Sequence, residues 1–215
     1  MLYRQGLFHT ALPILNKGIE MKLSNNFSAS EFLNGITWEE LSLSNKYLLQ
    51  VLCDNVLQPV KDFLTKEYKK NIPMKVNSGM RLESDIERLR KQGYNPSVRS
   101  DHFFANAIKI TNDADKKRFG DYFTYGAGAA DIIPIGVDVR DVFERIRVGV
   151  KTGKLNITYG QIIYETGAGG SGWLHMSNNK KFVMSSGLAD AVGFSVNGQF
   201  MQSLDGGKTY QVVSL

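Results

Sequence analysis

The sequence is poor in soft ligands. Its 215 residues include one cysteine, Cys53, and three histidines, His9, His102 and His175. A single cysteine excludes an intramolecular disulfide and every multi-cysteine zinc or iron–sulfur site, so any metal must be held by imidazoles and carboxylates. No run approaches the roughly 18 apolar residues that a membrane-spanning helix needs. The apolar stretch Leu7–Leu15 follows Arg4 but contains His9 and Pro13, and no small-residue cleavage site follows it. It therefore reads as part of the fold or as an arm that docks on a partner, rather than a standard signal peptide. Charge is nearly balanced, with 26 Lys+Arg against 21 Asp+Glu. The basic residues form only short clusters, Lys69-Lys70, Lys116-Lys117-Arg118 and Lys180-Lys181, with no aromatic interleaving. A nucleic-acid partner is therefore not favoured.

What is present is an ordinary globular composition, 42% hydrophobic and 22% charged, which argues against wholesale disorder. Ser28 and Glu31 have capping-box spacing and predict a short helix. Leu48, Leu49, Leu52, Val56, Leu57, Val60, Phe63 and Leu64 recur at three- and four-residue steps, predicting a long amphipathic helix over Lys46 to Tyr68. Pro59, inside this run, is expected to kink it or to start a new turn. Cys53 falls on the apolar side of this helix and is expected to be buried. Strands are expected at Pro73 to Gly79, Ala129 to Val137, Tyr159 to Glu165 and Trp173 to Ser177. Helices are expected at Ser84 to Gln92 and Val139 to Val148. Phe103 to Ile110 fits a strand or a short helix, and Asn112 to Gly120 reads as a polar surface insertion. In the tail, Asn197-Gly198 predicts a tight hairpin between Phe194–Val196 and Gln199–Ser203. A second turn at Asp205-Gly206-Gly207 would complete a three-stranded meander. Together these elements give an α+β protein.

The chemistry-bearing residues are few. His102 follows Arg99-Ser100-Asp101, and His175 lies in Trp173-Leu174-His175-Met176-Ser177. Asp131 stands between them behind the small residues Gly126 to Ala130. Two imidazoles and one carboxylate make a catalytic zinc site with a fourth position open. Set against this, a lone histidine is more often structural than ligating, and spacing alone carries little weight.

Five blocks in order resemble the M15 peptidases, the zinc D-Ala-D-Ala carboxypeptidase and phage endolysin group. They are Phe27–Leu33, Val56-Leu57-Gln58-Pro59-Val60, Val76-Asn77-Ser78-Gly79-Met80-Arg81, and Ser100-Asp101-His102 with Gly128–Ile132. The fifth joins Gln161–Glu165 to Trp173–Ser177. The resemblance spans about residues 22 to 180. It implies a hedgehog- and D,D-peptidase-like fold in which a small antiparallel sheet is flanked by helices. It also implies Zn²⁺ bound by His102, Asp131 and His175. Glu165 would be the general base, and Arg81 would hold the substrate carboxylate or polarise the scissile carbonyl. Ser100 and Trp173 would contact substrate. The implied function is hydrolysis of bacterial peptidoglycan stem peptides. The protein would be made in the cytoplasm and act at the bacterial cell wall or travel in a phage particle.

Departures from the pattern are specific. An insertion, about Phe103 to Tyr125, separates His102 from Asp131. Ala127 stands where a glycine is expected, Met80 replaces a tyrosine, and Gly172 occupies a position that is glutamate in many relatives. They motivate a second reading, a phage virion or structural protein that keeps the fold without turnover. Ser203-Leu204-Asp205-Gly206-Gly207-Lys208-Thr209-Tyr210 resembles an Asp-box hairpin, a turn-stabilising device. The expected organisation is an arm over 1–21, a peptidase-like domain over 22–185 and a hairpin appendage over 186–215. The arm and the appendage are the expected contacts with a virion or another subunit.

Overall fold

In a computed structural model, the described residues are 20–93, 96, 100–103, 106–109, 113, 116–117, 122–126, 128–167, 170–185, 192–195 and 198–215. The arm up to residue 19, His9 and most of Asn112 to Gly120 lie outside them. The chain is α+β, as the hydrophobic periodicities predict, and is built on two sheets.

Glu31 reaches back to the Ser28 amide at 2.7 Å, as capping-box spacing demands, but the helix it starts is a single turn, Ala29–Glu31. The long amphipathic stretch runs from Leu43 to Tyr68 as α1 (Leu43–Leu52), a wide π turn (Cys53–Leu57) and α2 (Gln58–Tyr68). Pro59 explains the wide turn. It has no N–H to give to the carbonyl four residues back, and its ring would crowd that carbonyl. The carbonyl is that of Asn55, and it accepts instead from the Thr158 amide at 3.2 Å. Cys53 is fully buried, and burial pushes its thiol far up. It is an inert part of the core.

Strands β1 (Met74–Ser78), β4 (Ala129–Pro134), β5 (Tyr159–Thr166), β6 (Gly172–Asn178), β9 (Gln199–Ser203) and β10 (Gln211–Val213) form the larger sheet. Its order is β1-β4-β6-β5-β9-β10. Helix α3 (Glu83–Lys91) follows β1, and α4 (Val139–Lys151) follows β4. Alternation of side chains divides this sheet into two faces. Ala130, Ile132, Ile162, Leu174, Met176 and Phe200 point one way, into the core formed with Leu48, Leu52, Val56, Leu64, Phe143 and Ile146 of the helices. Asp131, His175 and Glu165 sit at the alternate positions.

The smaller sheet is β2 (Asn106–Lys109), β3 (Tyr122–Gly126), β7 (Lys180–Ser185) and β8 (Val192–Ser195), paired antiparallel in the order β2-β3-β7-β8. Among its described residues, the insertion after His102 contributes two antiparallel strands, β2 and β3, which two later strands extend.

Two expectations need correction. The larger sheet is mixed, not antiparallel, because β9 runs parallel to β5, with Ile163 opposite Met201 and Glu165 opposite Ser203. The tail is also not a free-standing meander. β8 pairs with β7, while β9 pairs with β5 and β10. The proposed β8–β9 hairpin is therefore absent among the described residues, and β9 and β10 complete the main sheet rather than forming an appendage. The physical reason is burial: Phe200 is apolar and packs against Phe143 and Tyr159, with centroids at 5.7 and 5.2 Å, contacts an isolated hairpin could not offer. No helix among the described residues is long and apolar enough to cross a membrane.

Candidate metal centre

Asp131 and His175 face each other across the β4–β6 ladder, so backbone pairing alone sets their side chains side by side. A bulge at Asn77 shifts the β1–β4 register and brings Ser78 opposite Asp131. The turn after β1 then positions His102. Gly79 lies so close to the Phe32 main chain that any side chain there would collide with it. The Met80 amide donates to the Phe32 carbonyl at 2.9 Å, fixing this approach. The Arg81 amide donates to the His102 carbonyl at 2.8 Å, and the His102 ring Nδ1 lies 2.7 Å from the Gly79 carbonyl. One tight turn therefore holds both the backbone and the ring of His102. Ser100 supports the same short turn, Asp101–Phe103, from its other end. Its carbonyl accepts from Phe103, and its hydroxyl is 3.4 Å from the His102 amide.

The result is a compact triangle. His102 Nε2 lies 3.1 Å from Asp131 Oδ1 and 3.1 Å from His175 Nδ1, and the latter two atoms are 3.2 Å apart. All three residues are buried. A carbonyl oxygen can only accept, so His102 Nδ1 carries the proton and the neutral ring presents an Nε2 lone pair to a carboxylate oxygen. With His175 Nδ1 protonated, that nitrogen donates to Asp131 Oδ1; with it deprotonated, three lone pairs converge and a cation among them would relieve their repulsion. A carbonyl-fixed tautomer with the second nitrogen free for the ion is the usual outer-shell arrangement of a metal-ligating histidine. Four-coordinate bonds of about 2.0–2.1 Å place neighbouring donors about 3.3 Å apart, close to the triangle observed. His102, Asp131 and His175 therefore form a set that could hold a metal ion.

The surrounding charges are consistent with this. Burial holds the His102 imidazole below its ordinary pKa, with Asp131 opposing. Burial alone would raise the Asp131 carboxyl, but the two histidines outweigh it and hold Asp131 far below the usual carboxylate range. Burial also disfavours charge on His175, yet hydrogen bonding and attraction to Asp131 raise its pKa, and buried Asp101 adds to this. Arg81 reaches the second oxygen of Asp131, Nη2 to Oδ2 at 3.1 Å, and its Nε lies 3.3 Å from Ser78 Oγ. Its guanidinium thus orients the carboxylate that faces the histidines.

Glu165 lies on β5 opposite Trp173, two residues beyond Ile163, which faces His175. It is on the same side of the sheet as the triangle and diagonal to His175. Only 8% of it is exposed, and burial pushes its carboxyl up to about 7, with the charges of His175 and Arg81 lowering it and Asp131 raising it. Trp173 is half-buried beside it.

All seven sequence-predicted positions are thereby located. His102, Asp131 and His175 converge, with Arg81 bonded to them and Glu165 neighbouring. Ser100 braces the His102 turn, and Trp173 flanks Glu165. Sequence reasoning missed two contributors: the Gly79 carbonyl, which holds the His102 ring, and Asp101, whose charge helps raise the His175 pKa. Asp101 adjoins His102 in the chain, which was the available signal.

Comparison with known protein families, curated proteins and solved structures finds no significant match for this chain.

Proposed function

We propose that the chain is a zinc metallopeptidase acting on peptidoglycan stem peptides, with the D,D-peptidase-like fold that its sequence blocks resemble. The observation that carries this reading is the convergence of two imidazole nitrogens and one carboxylate oxygen beside a buried carboxyl whose pKa is near neutrality. The donor set suits zinc, which favours nitrogen and carboxylate oxygen at low coordination number and needs only three protein ligands in a catalytic site. The choice of substrate rests on the M15 resemblance.

When bound, zinc would polarise the scissile carbonyl and make a nucleophile available at neutral pH. The chain supplies the rest. His102, Asp131 and His175 hold the ion, the Gly79 carbonyl fixes the His102 tautomer, and Arg81 steadies Asp131. Glu165, as the carboxylate, takes a proton from the attacking water and returns it to the departing amine. A pKa near the working pH lets one group do both. Trp173 walls the approach to Glu165.

The test is direct. Protein purified without chelator should carry about one zinc per chain and release D-Ala or wall fragments from stem peptides. Failure to retain zinc after loading would overturn the metal reading. Bound zinc without hydrolysis would overturn the enzymatic one and favour a structural role that keeps the fold without turnover.

A further inference from the structure

The Asp-box turn is not on the far side of the molecule. Ser203 lies opposite Glu165 in the β5–β9 ladder, so the turn begins beside the proposed base. The Gly206 amide donates to the Thr166 carbonyl at 3.0 Å, tying the turn to the end of β5. Internally, Asp205 Oδ1 accepts from the Lys208 and Thr209 amides at 3.0 Å each, and Oδ2 accepts from the Thr209 hydroxyl at 2.6 Å. The Ser203 hydroxyl donates to Asp205 at 2.9 Å and accepts from the Gly207 amide at 3.0 Å. This is a stiff loop with its local polar groups satisfied.

Gly207 shows where the loop points. Its φ of +79° suits glycine. A Cβ placed there would lie 3.0 Å from Tyr210 Oη and 3.3 Å from Glu165 Oε2. The phenol and the carboxylate therefore converge on one small volume, kept open because residue 207 has no side chain. Tyr210 is 45% exposed, so its ring also borders solvent.

We infer that the turn Ser203–Tyr210 is one wall of the metal site and that Tyr210 is a substrate-contacting residue, donating a hydrogen bond from its hydroxyl to an oxygen of the bound peptide. The inference rests on the proposed peptidase reading and deepens it. Burial, with the charge of Glu165, pushes the phenol up to about 12, so it stays a donor throughout the neutral range. The donor is held by a preorganised loop, so little ordering entropy opposes the contact.

A phosphinate analogue of D-Ala-D-Ala, which the enzyme cannot hydrolyse, separates the two claims. With zinc-loaded protein, Tyr210→Phe should bind the analogue about 10-fold or more weakly than wild type, because it loses a hydrogen bond to a charged oxygen. Zinc content should be unchanged. In turnover, kcat/KM should fall with KM raised, as expected when a contact to the bound peptide is lost. Equal affinity in the two proteins, or no binding by zinc-loaded wild type, would overturn the inference. Weaker binding by the variant in a protein that hydrolyses no peptide would leave the inference standing and overturn the peptidase reading instead. As a check that needs no lost packing, 3-fluorotyrosine placed at position 210 should show a ¹⁹F resonance that moves when the phosphinate binds. An unmoved resonance would also overturn the proposal.

Discussion

The two faces of the larger sheet are made by the same strands and are both withdrawn from water, yet they solve opposite problems. On one face Ala130, Ile132, Ile162, Leu174, Met176 and Phe200 are at most 2% exposed and belong to one hydrophobic core. Burial there is favourable by about 25 cal/mol per Å² of apolar surface. On the other face Asp131, His175 and Glu165 are 6–8% exposed. Burying such groups costs several kcal/mol each unless they are paired or hold an ion. One face holds the fold together, and the other concentrates unfavourable groups where a cation would offset their cost. A chain selected only for stability would fill both faces like the first.

Breaking the polar face should abolish function without unfolding the protein. His175→Ala removes one of three ligands and should reduce bound zinc from about one per chain to near zero by elemental analysis, with turnover lost. Folding monitored by circular dichroism should persist. Glu165→Gln should keep its zinc and lose about 10²- to 10⁴-fold in kcat, the span expected for general-base catalysis. Full turnover in that variant would show that another group takes the proton.

Breaking the apolar face should do the reverse. Phe200→Ala should cost about 3–5 kcal/mol in denaturant unfolding, while the molecules that remain folded bind zinc normally. It also probes whether β9 belongs to the main sheet. A cost near zero would mean that the tail packs independently.

A pH test sharpens the comparison. The folded pKa of Glu165 is raised from 4.5 to about 7, so folding favours its protonated form. Its contribution to stability is fully present below pH 4.5 and is lost as pH rises through 7. In metal-free protein this group alone should remove about 3 kcal/mol across that window, and Glu165→Gln should abolish that part of the slope. Catalysis runs the other way. As the proposed base, Glu165 must be ionised, and zinc beside it favours the ionised form, so kcat/KM should rise with pH through a titration that lies below that of the metal-free protein. The smallest expected effect is that of Arg81→Ala. It leaves Asp131 unsteadied and should weaken zinc binding about 10- to 100-fold by competition with a chelator.

Local pattern made much of this legible in the sequence. The three-and-four spacing from Leu48 to Leu64 marked the helical layer, and Pro59 marked its irregularity. An apolar run marked β4, and alternation marked β5. The order of the blocks around His102, Asp131 and His175 named the residues that the structure brings together. The tail was misread because Asn197-Gly198 is a strong local hairpin signal. Its neighbours instead find other partners: β8 pairs with β7 just before it, and β9 pairs with the more distant Ile162 to Glu165, while the expected second turn does join β9 to β10. The expected strand or short helix over Phe103 to Ile110 appears as the turn Asp101–Phe103 followed by β2. Tyr122 to Gly126 is rich in strand-favouring Tyr, Phe and Thr and pairs with both β2 and β7.

The sequence by itself determined the donor inventory. With one cysteine and two histidines in suitable blocks, a metal site could only be imidazole and carboxylate. Only the tertiary structure decided that His102 Nε2 presents a lone pair, because that depends on a carbonyl 23 residues away. It likewise decided that Arg81 binds Asp131 and that Tyr210 stands beside Glu165. Side-chain type and short-range spacing are written in the chain. Register, tautomer and the approach of distant loops follow from which surfaces can be buried together, and that is a property of the whole fold.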